Sequence, residues 1–308
     1  MWKMIKFVLL MILLGFSILG ATFVDSELVV LDDDDSNATV SCDNNQYFLS
    51  SDGVFPGWNP KAKHPCTIER LSMENFEKRF DLQGGLPPLF PTPLVITDVP
   101  RDRNQRLRDL TSSDSILKNF PSNFTVTLSS SNSFSEHRRT IPFVQYLEEV
   151  ATNVMTPDQK SNETWYFFGE TFSKEWKKLL QHYILPPCQA CQRDEQDTWV
   201  ALSFGIGNSG SGVSWHIHGP GFSESIHGRK HWVLQQHEPE FHPDQTSYNW
   251  MYYNYSHLPE SDRPLECTLN PGEMIYFPDM WWHATINLDD YTAFISTFTQ
   301  EHLYVKQN

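Results

Sequence analysis

Hydrophobic and polar positions divide the chain into stretches of different rhythm. Phe7 to about Val24 is an apolar run behind Lys3 and Lys6. Residues 25–65 are polar and acidic, densest at Asp32 to Asp35, and hold no sustained period; they read as a solvated leader or linker. Folded structure is expected from Cys66. Ser72 to Phe80 has the spacing of a short helix, and Leu94-Val95-Ile96 that of a buried strand. Thr140 with Pro142 one turn on predicts a helix start, with Phe143, Val144, Leu147, Val150 and Ala151 on one face. Ser173 opens a second helix with the stripe Trp176, Leu179, Leu180 and Tyr183. Beyond Trp199 the period falls to two. Val200, Leu202, Phe204 and Ile206 alternate with small residues, and Gly205 to Gly212 supplies a turn. His216–Gly219, Ser225–Leu234, Glu273–Phe277, His283–Leu288 and Thr292–Thr299 read as further strands. Helices followed by short strands predict an α+β fold: one domain over 66–300, a sandwich or small barrel covered by a helical N-terminal half, with 301–308 as a tail.

The apolar run changes the picture by giving an address. Residues 1–24 have the layout of a secretory signal, with Gly20, Ala21 and Thr22 permitting cleavage, or of a retained anchor. Either form delivers the remainder to the lumen, and any membrane contact is through this segment. The sequons at Asn37, Asn123, Asn162 and Asn254 agree with the secretory pathway. Five cysteines fit an oxidising compartment. Cys42 and Cys66 are the expected bridge, the C-x-x-C of Cys188 and Cys191 reads as a small structural loop ahead of its alternative, a redox-active pair, and Cys267 is left over. A net charge of −15 argues against nucleic acid as a partner. Luminal or secreted proteins are the expected partners.

Candidate chemistry lies in His216-Ile217-His218 and His283. Histidines two apart share a strand face, so both enter one cavity, and a third from a later strand completes three nitrogen ligands for a metal. Gly272, Pro278, His283 and Asn287 form G-x5-P-x4-H-x3-N, which resembles the second cupin signature with Met280 where glycine is usual. Gly228-Arg229-Lys230-His231-Trp232, Pro271 to Pro278 and Trp281-Trp282-His283 resemble a JmjC domain, over a stretch from Cys66 to about Gln300.

That resemblance implies a double-stranded β-helix related to iron and 2-oxoglutarate oxygenases, and an endoplasmic-reticulum setting for one branch of the family. It implies that His216 and His283 are metal ligands and that Lys230 pairs with a 2-oxoglutarate carboxylate. His218 stands where the family has Asp or Glu, so zinc, iron and copper all become acceptable occupants. Glu224 is the alternative source of a carboxylate, able to share a face with Lys230 if their strand is regular. A regulatory or partner-binding protein is the leading expectation. The alternatives are an Fe(II)- and 2-oxoglutarate-dependent hydroxylase of luminal or secreted proteins, and a zinc site.

Overall fold

The computed structural model describes residues 57–81, 91–133, 135–187 and 200–299. The apolar leader, Asp32 to Asp35, Asn37, Cys42, Cys188, Cys191 and the tail lie outside them.

Two β-sheets face each other. The larger has nine strands: β1 (Glu69–Ser72), β2 (Leu94–Thr97), β3 (Thr125–Ser130), β4 (Arg138–Pro142), β5 (Trp165–Phe168), β6 (Val200–Gly207), β7 (Gly221–His227), β10 (Met274–Phe277) and β12 (Thr292–Thr299). They lie in the order β1-β2-β10-β7-β12-β6-β5-β3-β4. The smaller has the order β11-β8-β9, with β8 (Lys230–Gln235), β9 (Leu265–Leu269) and β11 (Trp282–Asn287). Ser211 to His216 extends the smaller sheet along the free edge of β11. Asn287 N donates to Ser211 O, Thr285 N to Val213 O, and His216 and His283 exchange both main-chain bonds. A Cβ on Gly212 would sit 1.9 Å from Thr285 O, so only glycine lets this segment run so close. This is a jelly-roll with its lumen between the sheets.

The expected elements hold in part. Helix α1 (Met73–Asp81) and β2 lie where the spacing put them, and α4 (Lys174–Leu180) is capped by Ser173, which accepts from Trp176 N. Trp176, Leu179, Leu180 and Tyr183 are buried as the stripe predicts. Thr140 does not cap a helix. It lies in β4 opposite Thr127, and α3 (Phe143–Thr152) starts after Pro142. The buried face of α3 is Phe143, Tyr146 and Val150, while Val144 is 41% exposed. The N-terminal half is not a helical cover: α2 (Gln105–Thr111), α3 and α4 alternate with β3, β4 and β5, which extend the larger sheet.

Ser225 to Leu234 is two strands, not one. Gly228 takes φ 65° and the chain passes there from the larger sheet to the smaller. Packing also starts ahead of Cys66: Trp58 is buried beside Trp215, Trp250 and Met251, the last two from α5 (Ser247–Tyr253). Cys66 is bonded to Cys267, 201 residues away, so neither a Cys42–Cys66 bridge nor a free Cys267 exists.

Candidate metal centre

His283 lies in β11, while His216 and His218 lie in the connection from β6 to β7. The His216–His283 main-chain pair fixes the first histidine against the third. Met280 N donates to His218 O and so fixes the second. Met280 adopts φ 55°, which explains why glycine suits that position of the motif. Ring centroids lie 4.1 Å (His216–His283), 4.6 Å (His218–His283) and 5.2 Å (His216–His218) apart.

Each imidazole has one nitrogen tied to the backbone. Nδ1 of His216 lies 2.7 Å from Ser214 O, Nδ1 of His218 2.7 Å from Gly219 O, and Nδ1 of His283 2.8 Å from Trp281 O. A carbonyl oxygen only accepts, so all three Nδ1 atoms carry the proton and donate. The Nε2 atoms therefore present lone pairs, and the donor atoms of the three rings lie within 4.8 Å of one another. Nε2 of His218 and Nε2 of His283 are 3.1 Å apart. Two lone pairs at that distance repel, so a cation belongs there, either a proton or a metal ion.

The donor set fits a metal. Two imidazoles on one ion, each bonded at about 2.0–2.1 Å, stand about 3.0–3.4 Å apart. Carbonyl oxygens on the remote nitrogens are the usual outer support for such ligands. Burial, with the nearby His218, pushes His216 down to about 3; burial and the two other histidines hold His283 well below its ordinary value. Both are thus neutral and able to donate at physiological pH.

Aromatic side chains wall the cluster. Trp232 stacks on His283 at 5.8 Å and on Phe277 at 5.6 Å. Phe277 and Phe298 meet His218 edge-on at 5.3 and 5.2 Å. Strand alternation marks Trp232 as inward-facing but not as a ring partner of His283, because that pairing comes from the β8–β11 register, which sets Trp232 opposite Thr285 and diagonal to His283.

Lys230 is 1% exposed. Its Nζ donates to Asn287 Oδ1 at 3.0 Å and lies 3.8 Å over the Phe294 ring. Asn287 Nδ2 in turn donates to Ser211 Oγ. Burial alone pulls the Lys230 ammonium down to about 7, and among the described residues no carboxylate pairs with it. The motif asparagine therefore acts here as the lysine's hydrogen-bond partner.

Glu224 is not part of the cluster. The strand break at Gly228 separates it from Lys230, and its carboxylate points to the other face of the larger sheet. There Asn104 Nδ2 donates to both oxygens at 3.1 and 2.9 Å, and Arg108 lies 3.8 Å away. Burial pushes Glu224 up to about 7 against the opposing pull of Asn104, Arg103, Arg108 and Tyr183. Asn123 and Asn162 are exposed, whereas Asn254 is half-buried with its Oδ1 accepting from Gln245. Among the described residues no helix is long and apolar enough to cross a membrane.

Residues 91–301 match the Cupin-like domain family. JmjC domain-containing protein 8 of Homo sapiens is 41% identical over 253 residues, covering 79% of this chain and 89% of that protein. Its counterpart in Mus musculus is 43% identical over 235 residues, covering 76% and 82%. The bifunctional arginine demethylase and lysyl-hydroxylase psr-1 of Caenorhabditis elegans is 27% identical over 165 residues, covering 45% of this chain and 41% of that protein. The chain belongs to the JmjC-domain family of cupin-like proteins.

Proposed function

We propose that this chain is a JmjC-type protein of the endoplasmic-reticulum lumen that holds one metal ion at His216, His218 and His283 and serves as a regulatory or partner-binding protein. The observation that carries this reading is the donor set. Three imidazoles converge with their backbone-tied nitrogens turned away, and the carboxylate on the neighbouring strand, Glu224, is tied to Asn104 on the other face of the sheet. An oxygenase site of the two-histidine, one-carboxylate kind differs by one charge and one oxygen donor. The pocket is divergent in that sense, and zinc suits it as well as iron does. The luminal setting is supported by the apolar leader and by exposed sequon asparagines at 123 and 162. Luminal or secreted proteins are the partners that setting provides.

Lys230 favours a second reading, a 2-oxoglutarate-dependent hydroxylase of luminal or secreted proteins. A buried ammonium with no carboxylate partner among the described residues is matched by a ligand that brings one. Iron with 2-oxoglutarate would supply oxygen activation when bound. The chain's own part would be to receive the distal carboxylate at Lys230 and Asn287, and to exclude water with Trp232, Phe277, Phe294 and Phe298.

One titration separates the readings. Fe(II) and then 2-oxoglutarate are added anaerobically to the purified protein while the visible charge-transfer absorption of chelated iron is followed. No band in folded protein that binds metal supports the regulatory reading. A band that disappears in His283→Ala establishes the cosubstrate site and moves the assignment to the hydroxylase. Partner capture unchanged by His216→Ala and His218→Ala would agree with the first reading, and its loss without unfolding would contradict it.

A further inference from the structure

The jelly-roll has a seam where β1, the edge of the larger sheet, meets β9, the edge of the smaller. Two kinds of bond cross it. Thr67 N donates to Glu266 O at 2.8 Å, and Glu266 N donates to Thr67 Oγ1 at 2.9 Å. The second kind is covalent, Cys66–Cys267. Beside them Arg70 of β1 forms an ion pair with Glu273, in the turn that leads from β9 into β10. The two sulfurs differ in setting: Cys66 is exposed, and Cys267 is 0% exposed. Cys267 packs with Trp232 and Phe277, the rings that wall the histidines, and lies opposite Trp232 in the β8–β9 register. Arg70 reaches both sulfurs, with its guanidinium 3.4 Å from Cys267 Sγ and 3.8 Å from Cys66 Sγ.

We propose that Cys66–Cys267 is an exchangeable latch on this seam, opened by a protein dithiol of the C-x-x-C class that attacks the Cys66 sulfur. Thiol–disulfide exchange needs a thiolate approaching in line with the S–S bond and a leaving sulfur that tolerates negative charge. The exposed Cys66 end offers the approach, and the Arg70 guanidinium beside Cys267 favours the leaving thiolate. The incoming sulfur bonds to Cys66 as the S–S bond breaks, and its electron pair leaves on Cys267. The second thiolate of the reductant then attacks the first reductant sulfur and releases Cys66. The dithiol is oxidised by two electrons to a disulfide. The two cysteines are reduced to thiols, with two protons passing from reductant to protein through solvent. Opening the latch removes the covalent tie between the sheet edges beside the aromatic wall, giving side access to the lumen. This chemistry does not depend on a metal at the histidines, so metal content and latch opening are read separately.

The experiment exposes the native full chain to graded dithiothreitol, alkylates it, and maps the modified peptides, so that Cys42, Cys188 and Cys191 are scored apart. Glutathione is used in parallel to trap the mixed disulfide. The expected result is alkylation of Cys66 and Cys267 while circular dichroism stays native, with the glutathione adduct on Cys66. Hydrogen exchange in residues 66–72 and 265–269 should quicken on reduction. Arg70→Gln should slow reduction at least threefold, and Arg70→Lys should restore part of the rate. A brace without a leaving-group role predicts the opposite, because cutting the Glu273 pair would loosen the seam and speed reduction. Cysteines that stay oxidised until the chain unfolds, an adduct on Cys267, or an unchanged or faster rate in Arg70→Gln would each overturn the proposal.

Discussion

His283 and Glu224 are buried to the same degree, each 1% exposed, yet their polar atoms are treated in opposite ways. Both oxygens of Glu224 accept from the Asn104 amide, and Arg108 lies nearby. Nε2 of His283 faces Nε2 of His218 with no proton assigned between them by the carbonyls around them. A buried group satisfied within the protein is structure, and converging lone pairs that only an added cation can reconcile are a site. The same contrast places Lys230 between the two, because among the described residues it has one hydrogen-bond acceptor and an aromatic face but no counter-charge.

If Glu224 is structural, its loss should damage the fold and spare the metal. Glu224→Ala leaves the Asn104 amide without its acceptor and Arg108 without its nearby carboxylate, at a cost of about 3–5 kcal/mol in chemical denaturation. Equal stability in that variant would break the comparison. The next effect is in pH. Burial raises Glu224 from 4.5 to about 7. Between those values the folded state binds the extra proton, so stability falls as pH rises through the window. The change is about 3 kcal/mol, and Glu224→Gln should abolish it when denaturation curves are compared at pH 5 and pH 7.5.

Lys230 runs the other way. Its folded value is lowered from 10.5 to about 7, so the unfolded chain carries more protons and stability rises with pH from 7 upward. Asn287 and Phe294 favour the ammonium and reduce the effect, to on the order of 2 kcal/mol. Lys230→Met should flatten that rise, and a slope that persists would place the titration elsewhere. The smallest effect is local. Met280 holds φ 55° while 60% exposed, so Met280→Gly should relieve strain and stabilise by about 1 kcal/mol in thermal unfolding. A loss instead would mean that the Met280 side chain contributes packing.

The histidines were legible because their signal is spacing: an H-x-H on one side and a P-x4-H on the other need no tertiary information to be noticed. Glu224 was misplaced for a related reason. Ser225 to Leu234 reads as one strand when Gly228 is taken as a tolerated glycine, and its positive φ, which sends β7 and β8 to different sheets, leaves no mark on periodicity. The Cys66–Cys267 bond was misassigned because β9 is short and carries Glu266 and Thr268 among its apolar positions, so nothing local announces a strand. Strands β3 and β4, rich in Ser, Thr and Arg, were missed likewise; tertiary pairing makes them strands. Where local pattern and tertiary context agree, as in α4 and β12, the elements could be read directly.

The most direct measurement is a Co(II) titration of the chelator-treated full chain, followed by visible absorption, beside His283→Ala and Glu224→Gln. The account predicts one equivalent bound by the wild type, binding weakened at least about 100-fold in His283→Ala, and binding unchanged in Glu224→Gln. Binding that survives in His283→Ala, or that is lost in Glu224→Gln with the fold intact, would contradict it.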